Sequence, residues 1–538
     1  MVASVPSTTD RGYHRPIDPP PGPRWEHLLG KREPVVVFIS LYVIENSGVR
    51  QLAAILREQG IRVHELYFKD WLNNRVEPPS DDEVALMMRE LRRIRPDIVG
   101  VSVRASAFHR MASDLTERIR RELDVPVLWG GMHPTSVPED CLRVADLIAV
   151  GEAEESVAEL LRRTREGQDA TDIPGLWLHT AEGIARNGTA PLVADLDALP
   201  FRDFHSPDKV YIDGRRVIAG DPYAVEPIYL LMASRGCPFP SCAFCSNSVM
   251  DRVSPGEKYY RLRSLDDVFE EVAYARRVFP NLRRIRFDDE EFPVERAWFD
   301  EFCERWPTEG GMAFEIHMDP RVVTQERLER LKAAGMDAVF MGIQHTAKVN
   351  RDLYCRNVSD DQVLKAAHAI HDTGLRAGYQ VILDDPVSND DDKSELFDLL
   401  LQLPRPYEMV LFSLAIYPGS ALAEELLRRG LIGEADVEGQ ATKVFDQFRV
   451  DLSYPRSPND RFWTGLVVLV SKDFVPKRLL RRMAHSRRLA AHPDAVVAMA
   501  YGANLVKIGV MGVDLVRRGE MSWGVVRRWL SLKSLVTF

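Results

Sequence analysis

The sequence predicts an α/β protein in which two successive β/α domains are followed by a helical C-terminal region. Short apolar runs that suit buried strands alternate with helical-period segments in two blocks, residues 34–164 and 227–430. The chain has 538 residues, which is enough for about three domains of ordinary size. After residue 430 the strand-like runs give way to a mostly helical pattern, so residues 431–538 are predicted to form a helical domain.

The first block contains five strand-like runs with helical segments between them. The runs cover residues 35–40, 61–67, 97–103, 125–131 and 147–151. Five β/α units at this spacing predict a doubly wound parallel sheet of the Rossmann type, with a flavodoxin-like strand order, whose ligand lies over the carboxyl ends of the strands. Residues 1–33, with their proline-rich run, are predicted to be a flexible leader. Residues 165–226 are predicted to be a connector.

The second block contains six strand-like runs, each followed by a helical segment. These runs cover residues 228–233, 284–287, 313–317, 338–342, 377–383 and 409–416. Six β/α units are too few for a full eight-stranded barrel, but functional groups should again gather at the carboxyl ends of the strands.

Three of the six cysteines, Cys237, Cys242 and Cys245, lie within nine residues, directly after the first strand of the second block. Soft thiolates on one loop suit an iron–sulfur cluster, and three ligands instead of four leave one iron with an open coordination position. A zinc site usually takes two ligand pairs, and no second pair at finger spacing follows. A disulfide would leave one thiol over. The loop therefore predicts a cluster that takes part in chemistry.

The cysteine spacing resembles that of the radical S-adenosylmethionine (radical SAM) superfamily. The usual loop there is Cys-x3-Cys-x-aromatic-Cys; Phe244 supplies the aromatic residue here, and one extra residue separates Cys237 from Cys242. Residues 129–135 and 145–154 resemble the cobalamin-binding domain fused to many radical SAM enzymes. Residues 194–200 resemble the segment that leads into the cluster domain of that family. The motif Asp-x-His-x-x-Gly is missing, so the resemblance implies no cobalt ligand from that motif.

This resemblance implies a partial (β/α)6 radical SAM barrel after the cobalamin-binding domain, and three cofactors. The cofactors are a [4Fe-4S] cluster, S-adenosylmethionine and cobalamin. The implied cluster ligands are the three cysteines of the loop, and the implied S-adenosylmethionine contacts are Phe244, Asp288, Asp289, Gln344 and Arg356. The implied cobalamin contacts are Asn46, Ser47, Ser102, Gly130, Gly131, His133, Thr135, Gly151 and Glu152. The resemblance gives His133 a role in shaping its loop and not in coordinating cobalt.

One further cysteine, Cys355, is a candidate catalytic residue. Its position in the second block would let a free thiol donate a hydrogen atom or act as a nucleophile. The alternative is an inert buried cysteine, which is the commoner fate of this residue type.

The implied activity is radical chemistry, with methylation of an unactivated carbon in a small molecule or natural-product intermediate as the first choice. A cobalamin-dependent radical cyclisation or rearrangement is the alternative, and a non-enzymatic corrinoid-binding sensor is a third. A methylthiotransferase is disfavoured, since that class carries three further cluster cysteines in its N-terminal domain and only Cys141 is present here.

The charge distribution limits the partners. The net charge is −10, yet residues 472–538 carry 13 Lys and Arg against four Asp and Glu. The acidic body argues against nucleic acid as a partner, whereas the basic C-terminal region would allow a weak membrane contact. A small-molecule substrate and an electron donor such as flavodoxin or ferredoxin are the expected partners. The low cysteine usage and the N-terminal sequence predict a cytoplasmic location.

Overall fold

The computed structural model describes residues 23–69, 78–239, 242–412, 414–433, 436–437 and 457–517. Two sheets, in the two blocks that the apolar runs predict, carry the fold, and helices pack on their faces.

The first sheet has nine strands around a parallel core. Its strands are β1 (Val35–Leu41), β2 (Arg62–Phe68), β3 (Ile98–Ser102), β4 (Val127–Gly130), β5 (Leu147–Ala149), β6 (Leu176–Thr180), β7 (Gly183–Arg186), β8 (Lys209–Asp213) and β9 (Arg216–Ala219). The order across the sheet is β7-β6-β5-β4-β3-β1-β2-β8-β9. The five predicted strands therefore lie in the order 2-1-3-4-5, which is the flavodoxin-like order with its switch point between β1 and β3.

The predicted connector differs from the structure. Residues 165–226 supply four strands of the first sheet: β6 and β7 form a hairpin antiparallel to β5, and β8 pairs parallel with β2 and continues into the hairpin with β9. These strands are short and lie at the two sides of the sheet, and β7 and β9 are largely exposed. Each of these strands has only four or five residues and is partly exposed, so its pattern is weak in the sequence.

Helices cover both faces of this sheet. They are α1 (Ser47–Glu58), α2 (Asp81–Ile94), α3 (His109–Leu123), α4 (Met132–Ser136), α5 (Pro138–Leu142) and α6 (Glu154–Glu166), with 3-10 turns at Arg24–Leu28, Ser106–Phe108 and Leu196–Ala198. Local capping explains where two of them begin. The side chain of Asn46 accepts a hydrogen bond from the Val49 amide at the start of α1, and Ser80 and Glu83 form a capping box at the start of α2.

The predicted leader is too long. Residues 1–22 lie outside the described residues, but Arg24–Leu28 is a 3-10 turn that packs on the first domain. Trp25 is only 1% exposed, and its Nε1 donates to the carbonyl oxygen of His179 at 2.8 Å. The indole finds its partner 154 residues away, which a local pattern does not reveal.

The second sheet has six parallel strands in chain order, as the six β/α units predict. Its strands are β10 (Ile228–Leu231), β13 (Arg284–Phe287), β14 (Ala313–Met318), β15 (Met336–Gln344), β16 (Arg376–Ile382) and β17 (Glu408–Phe412). Between the first two, β11 (Ser234–Arg235) and β12 (Arg261–Leu262) form a separate two-stranded antiparallel ribbon. The helices of this domain are α7 (Asn247–Val253), α8 (Leu265–Val278), α9 (Arg296–Glu309), α10 (Gln325–Ala334), α11 (Ala347–Asp352), α12 (Asp360–Thr373), α13 (Asp390–Gln402) and α14 (Ala421–Arg428).

The C-terminal region is helical, as predicted, within the described residues. Its helices are α15 (Pro458–Val470), α16 (Lys477–Ala484), α17 (Arg487–Ala491) and α18 (Pro493–Arg517). Buried residues of α15 belong to the core of the second domain, and Lys393 at the start of α13 pairs with Asp460 of α15. Among the described helices, none combines the length and the apolar character that crossing a bilayer requires.

Replacement of Trp25 by alanine should destabilise the first domain. Removing a fully buried indole costs about 3–5 kcal/mol through lost burial and an unfilled cavity. We expect a lower thermal unfolding midpoint in scanning calorimetry. Leu29→Ala is the matched control, because Leu29 is 40% exposed in the same segment and should change the midpoint little. Equal midpoints for the two variants would contradict the packing of residues 23–33.

Candidate active site

The cysteine loop begins on the β11/β12 ribbon. Gly236 has φ +86°, and a Cβ there would meet the carbonyl oxygen of Tyr259 at 2.5 Å, so only glycine fits this turn. Ala243 is held on both sides: its amide donates to Tyr354 O at 2.9 Å, and its carbonyl accepts from Leu422 N at 3.0 Å. The loop is thereby tied to two other loops of the second domain.

The three loop thiols are partly buried, with carboxyl groups near Cys237 and Cys245 and arginines near Cys242. Burial raises the pKa of Cys237 to about 12 and also raises that of Cys245. Burial raises the pKa of Cys242 as well, while the guanidinium groups of Arg356 and Arg321 oppose the rise. Free thiols here are therefore protonated, and metal binding must release their protons. The arginines favour the thiolate form of Cys242 that a metal requires.

The donor set fits an iron–sulfur cluster. Cys237 and Cys242 each influence the pKa of Cys245, so the three sulfurs share one locality. Within the described residues, no three His, Cys, Asp or Glu side chains meet closely enough to hold a single metal ion. A cluster differs because each thiolate binds its own iron. Pro240 and Ser241, two of the four residues between Cys237 and Cys242, lie outside the described residues.

The predicted S-adenosylmethionine contacts all follow strands of the second sheet or lie in loops against the cysteine loop. Phe244 packs edge to face on Tyr354, with ring centroids 5.0 Å apart. Asp288 is exposed directly after β13. Gln344 ends β15 with φ +63°. A non-glycine residue at positive φ marks strain of the kind that gathers at functional sites.

Two of these candidates already have protein partners. Asp289 is buried and accepts hydrogen bonds from the Ser234 hydroxyl and the Ala233 amide; burial nevertheless raises its pKa to about 7. The guanidinium of Arg356 donates to Asp319 Oδ2 and to Gly342 O, both at 2.7 Å, and to a further backbone carbonyl. Asp289 thus braces the start of the cysteine loop, and Arg356 joins the ends of β14 and β15.

Other buried polar atoms near these loops lack protein partners. Glu291 Oε1, after β13, and His345 Nε2, after β15, have no hydrogen-bond partner among the described residues. Buried polar atoms are nearly always paired in folded proteins. Unsatisfied atoms beside the carboxyl ends of two strands therefore fit a pocket that receives a polar ligand.

Cys355 is exposed and lies beside the cysteine loop. It has φ +52°, and its thiol is close enough to contribute to the raised pKa of Cys242. Its neighbour Tyr354 is the residue that accepts the hydrogen bond from Ala243. The alternative of a buried inert cysteine therefore does not describe Cys355, whereas it does describe Cys141. A catalytic role for Cys355 stays a prediction.

The predicted cobalamin contacts lie at the carboxyl edge of the first sheet, near the β1/β3 switch point. Asn46 donates to Ser40 Oγ at 2.8 Å and to Ser102 Oγ at 3.0 Å, which joins the loops after β1 and β3. Ser47 accepts from Arg202 at 3.0 Å. These side chains hold one another and shape the edge over which a ligand would lie.

The turn after β4 is built on glycine. Gly131 has φ +108°, and a Cβ there would meet Val103 O at 2.9 Å. A Cβ on Gly130 would meet only the Ala149 methyl, at 4.0 Å, so this strand end presents open backbone that a flat ligand can approach. The hydroxyl of Thr135 donates to Gly131 O and accepts from Gly151 N, joining the loops after β4 and β5.

His133 is buried behind this turn. Its Nδ1 shares a hydrogen bond with Ser106 Oγ at 2.9 Å, and its ring lies 4.8 Å from that of His109. Burial, with the added charge of His109, lowers the pKa of His133 to about 3, so the imidazole is neutral. Its Nε2 has no hydrogen-bond partner in the described part of the chain.

Glu152 differs from the other predicted cobalamin contacts because it reaches across to the second domain. Arg261 donates to Glu152 Oε1 at 2.6 Å and to Oε2 at 3.0 Å, and Arg235 lies 3.3 Å from Oε1. The amide of Val193 donates to Oε2 at 2.8 Å. Burial alone would raise the pKa of Glu152, but hydrogen bonds from Arg261 and the charge of Arg235 lower it. Its oxygens are occupied by protein.

Two arginines of the site, Arg235 and Arg261, are not among the residues that the sequence predicts. Arg235 stands beside the cysteine motif, which is a usable signal, whereas Arg261 stands in a segment without any motif. Arg321 follows the third strand of the second block, where functional groups are expected to gather. The stacking of Arg321 on Phe239, 3.8 Å from the ring centroid, joins residues 82 positions apart and is visible only in three dimensions.

Two family models match the chain. The B12 binding domain model matches residues 34–161, and the Radical SAM superfamily model matches residues 231–400. The first match covers the parallel strands β1 to β5, and the second covers the cysteine loop and strands β13 to β16.

Relatives and solved structures resemble most of the chain. An uncharacterized methyltransferase, PH0819, from Pyrococcus horikoshii is 24% identical over 72% of this chain and 79% of its own length. The anaerobic magnesium-protoporphyrin IX monomethyl ester cyclase of Rubrivivax gelatinosus is 25% identical over 71% of this chain and 66% of its own length. The structure of OxsB, a cobalamin-dependent S-adenosylmethionine radical enzyme with aqua-cobalamin and S-adenosylmethionine bound, superposes with a TM-score of 0.61 at 16% identity, covering 94% of this chain and 84% of OxsB. That likeness shows the same fold.

Gly131→Ala should destabilise the first domain by about 1–3 kcal/mol, because alanine is strained at positive φ and its Cβ would strike Val103 O. Thermal unfolding measures this change. Gly130→Ala is the matched control, since its Cβ finds room, and it should shift the midpoint far less. Equal shifts would show that the turn after β4 is not built as described.

Replacing any one of Cys237, Cys242 and Cys245 with alanine should abolish cluster assembly, because two thiolates leave two irons exposed to solvent and exchange. Iron and sulfide content after anaerobic reconstitution, together with visible absorbance, measures the loss. Cys303→Ala is the matched control and should keep full iron content. A loop variant that retains the wild-type iron content would remove that cysteine from the ligand set.

Proposed function

Because the chain belongs to the radical SAM enzymes that carry a B12-binding domain, we propose that it methylates an unactivated carbon of a small molecule. The two domains imply a [4Fe-4S] cluster, S-adenosylmethionine and cobalamin as cofactors. Our proposal concerns the class of substrate and the transfer of a methyl group.

The observation that carries this proposal is that loops at the carboxyl edges of both sheets meet. Burial raises the pKa of Tyr417 to about 12. Cys245, in the cysteine loop, and Arg104, after β3, both lie close enough to Tyr417 to influence that pKa. A Cβ on Gly419, after β17, would lie 2.9 Å from Ser136 O at the end of α4. A cofactor over the first edge and a cofactor over the second would therefore face a common space. Methyl transfer needs this proximity of three reagents.

Each group of residues has a distinct task in this proposal. Cys237, Cys242 and Cys245 hold the cluster, and the glycine-rich edge near Gly130 and Gly131 receives the corrin. When bound, the cluster and S-adenosylmethionine supply a carbon-centred radical for hydrogen abstraction, and cobalamin supplies a methyl carrier. The protein's task is to orient these groups and to keep water away from the radical.

The loops after the second sheet would bind S-adenosylmethionine. We assign Phe244 to the apolar face of the pocket, since its ring is fixed by Tyr354. Gln344 offers an uncharged amide for hydrogen bonding. Asp289 and Arg356 act through their protein partners, since their polar atoms already bind Ser234 and Asp319. They are positioning residues in this proposal.

A radical cyclisation without methyl transfer is the second candidate. The similarity to a magnesium-protoporphyrin IX monomethyl ester cyclase favours it, while the similarity to a methyltransferase favours the first candidate. Both reactions use the same cluster loop, so the products distinguish them. An electron donor, a membrane contact through the basic C-terminal region and a cytoplasmic location stay predictions.

The reconstituted protein with reduced cobalamin and S-adenosylmethionine should form S-adenosylhomocysteine, and with reductant it should also form 5′-deoxyadenosine. Chromatography of quenched anaerobic reactions measures both. Methyl transfer requires both products, because one S-adenosylmethionine is the methyl source and another is the radical source. Cys242→Ala should abolish 5′-deoxyadenosine formation, and Cys303→Ala should retain it. Formation of 5′-deoxyadenosine without S-adenosylhomocysteine would replace methyl transfer with cyclisation or rearrangement.

A further inference from the structure

We propose that Glu152, Glu154, Arg235 and Arg261 form an interdomain clamp that sets the separation between the cobalamin-binding edge and the cluster. The clamp residues are positioning residues, and none of them is assigned a contact with substrate. The inference rests on the proposed function, because methyl transfer requires cobalamin and the cluster to lie at a defined separation.

The acidic half of the clamp lies at the edge assigned to cobalamin. Glu152 follows Gly151, whose amide binds Thr135 and whose φ is +85°. Glu154 begins α6. Both carboxylates are therefore attached to the loop after β5, one of the loops over which a corrin would lie.

The basic half is attached to the cysteine loop. Arg235 and Arg261 stand directly opposite each other on the β11/β12 ribbon. Only Gly236 separates Arg235 from Cys237, and Gly236 is packed against the backbone of Tyr259. This short connection leaves little slack, so a shift of Arg235 must shift the first cluster ligand.

The contacts between the two halves are numerous and close. Arg261 binds both oxygens of Glu152 and also the carbonyl of Val193, the last at 2.6 Å. Arg235 lies 3.3 Å from Glu152 and 2.7 Å from Glu154. Bidentate arginine–carboxylate pairs restrict direction as well as distance, so the clamp restricts rotation of one edge against the other.

Charge and burial make the clamp intolerant of partial opening. Its two positive and two negative side chains balance, and their side chains are only 5–20% exposed. A displacement that separates one pair would leave a buried charge without its partner, which is costly. A surface pair such as Arg186–Glu139 differs, because both side chains are about half exposed and water can replace either partner.

The test uses the full-length protein loaded with both cofactors. Cob(II)alamin and the reduced cluster are both paramagnetic, so pulsed EPR reports their separation through the relaxation enhancement of cobalamin by the cluster. This reading needs neither substrate nor methyl transfer. The variants are Glu152→Gln, which removes the negative charge, and Arg261→Lys, which keeps the positive charge but cannot form the bidentate pair with Glu152. Glu139→Gln is the matched control.

We expect Glu152→Gln and Arg261→Lys to retain iron and cobalamin but to lose part of the relaxation enhancement and to show a wider spread of separations. Their yield of S-adenosylhomocysteine per 5′-deoxyadenosine during turnover should fall about tenfold, since misplacement on the order of an ångström can slow a reaction up to about a hundredfold. Glu139→Gln should match the wild type in iron and cobalamin content, in relaxation enhancement and in the ratio of S-adenosylhomocysteine to 5′-deoxyadenosine.

Unchanged relaxation in Glu152→Gln and Arg261→Lys, with both cofactors bound, would overturn the clamp. Loss of cobalamin in both variants, with iron content unchanged, would also overturn it, since the residues would then serve cofactor binding. If the proposed methyl transfer were wrong, S-adenosylhomocysteine would be missing in the wild type, while the relaxation difference would remain. The two failures are thus distinguishable.

Discussion

The ion pairs that Glu152 makes with Arg235 and Arg261 join the carboxyl edge of the first sheet to the start of the cysteine loop. Removing one partner of such a buried pair typically costs about 3–5 kcal/mol, so the pairs hold the two edges in one arrangement. The relation of cobalamin to cluster in the proposed chemistry therefore depends on side chains that need not touch either cofactor.

Backbone turns and backbone hydrogen bonds also fix the loops of the site. Gly236 and Gly131 turn the chain at positions where a Cβ would strike a carbonyl oxygen. Ala243 is tied through both its amide and its carbonyl, and the ring of the next residue, Phe244, packs on Tyr354. A reactive radical demands such order, since a loop that opened would admit water and waste the reagent. Polar side chains such as Asp289 and Arg356 serve this order by bracing the loops.

Two strand patterns in the sequence predict their strands to within a residue. The run that forms β1 is a continuous apolar stretch that suits a strand buried on both faces. The run that forms β13 alternates arginine with apolar residues, as a half-buried strand does. The sequence predicts only a connector for residues 165–226, because the short, partly exposed strands of these hairpins give a weak pattern. It predicts a flexible leader around Trp25, because the residue that stabilises Trp25, His179, lies far away in sequence.

For the site, the sequence by itself determined the chemistry: three thiolates on one loop, an aromatic residue beside them and small residues at the strand ends. Each of these patterns lies within a short segment, so the spacing of residues along the sequence is enough to reveal it. Only the tertiary structure decided which polar side chains are available to a ligand. The sequence places Glu152 among the predicted cobalamin contacts, yet Arg261 binds both of its carboxylate oxygens. No motif near Arg261 in the sequence predicts this pairing. Pairing between distant segments depends on how two sheets dock, and docking is a property of the whole fold.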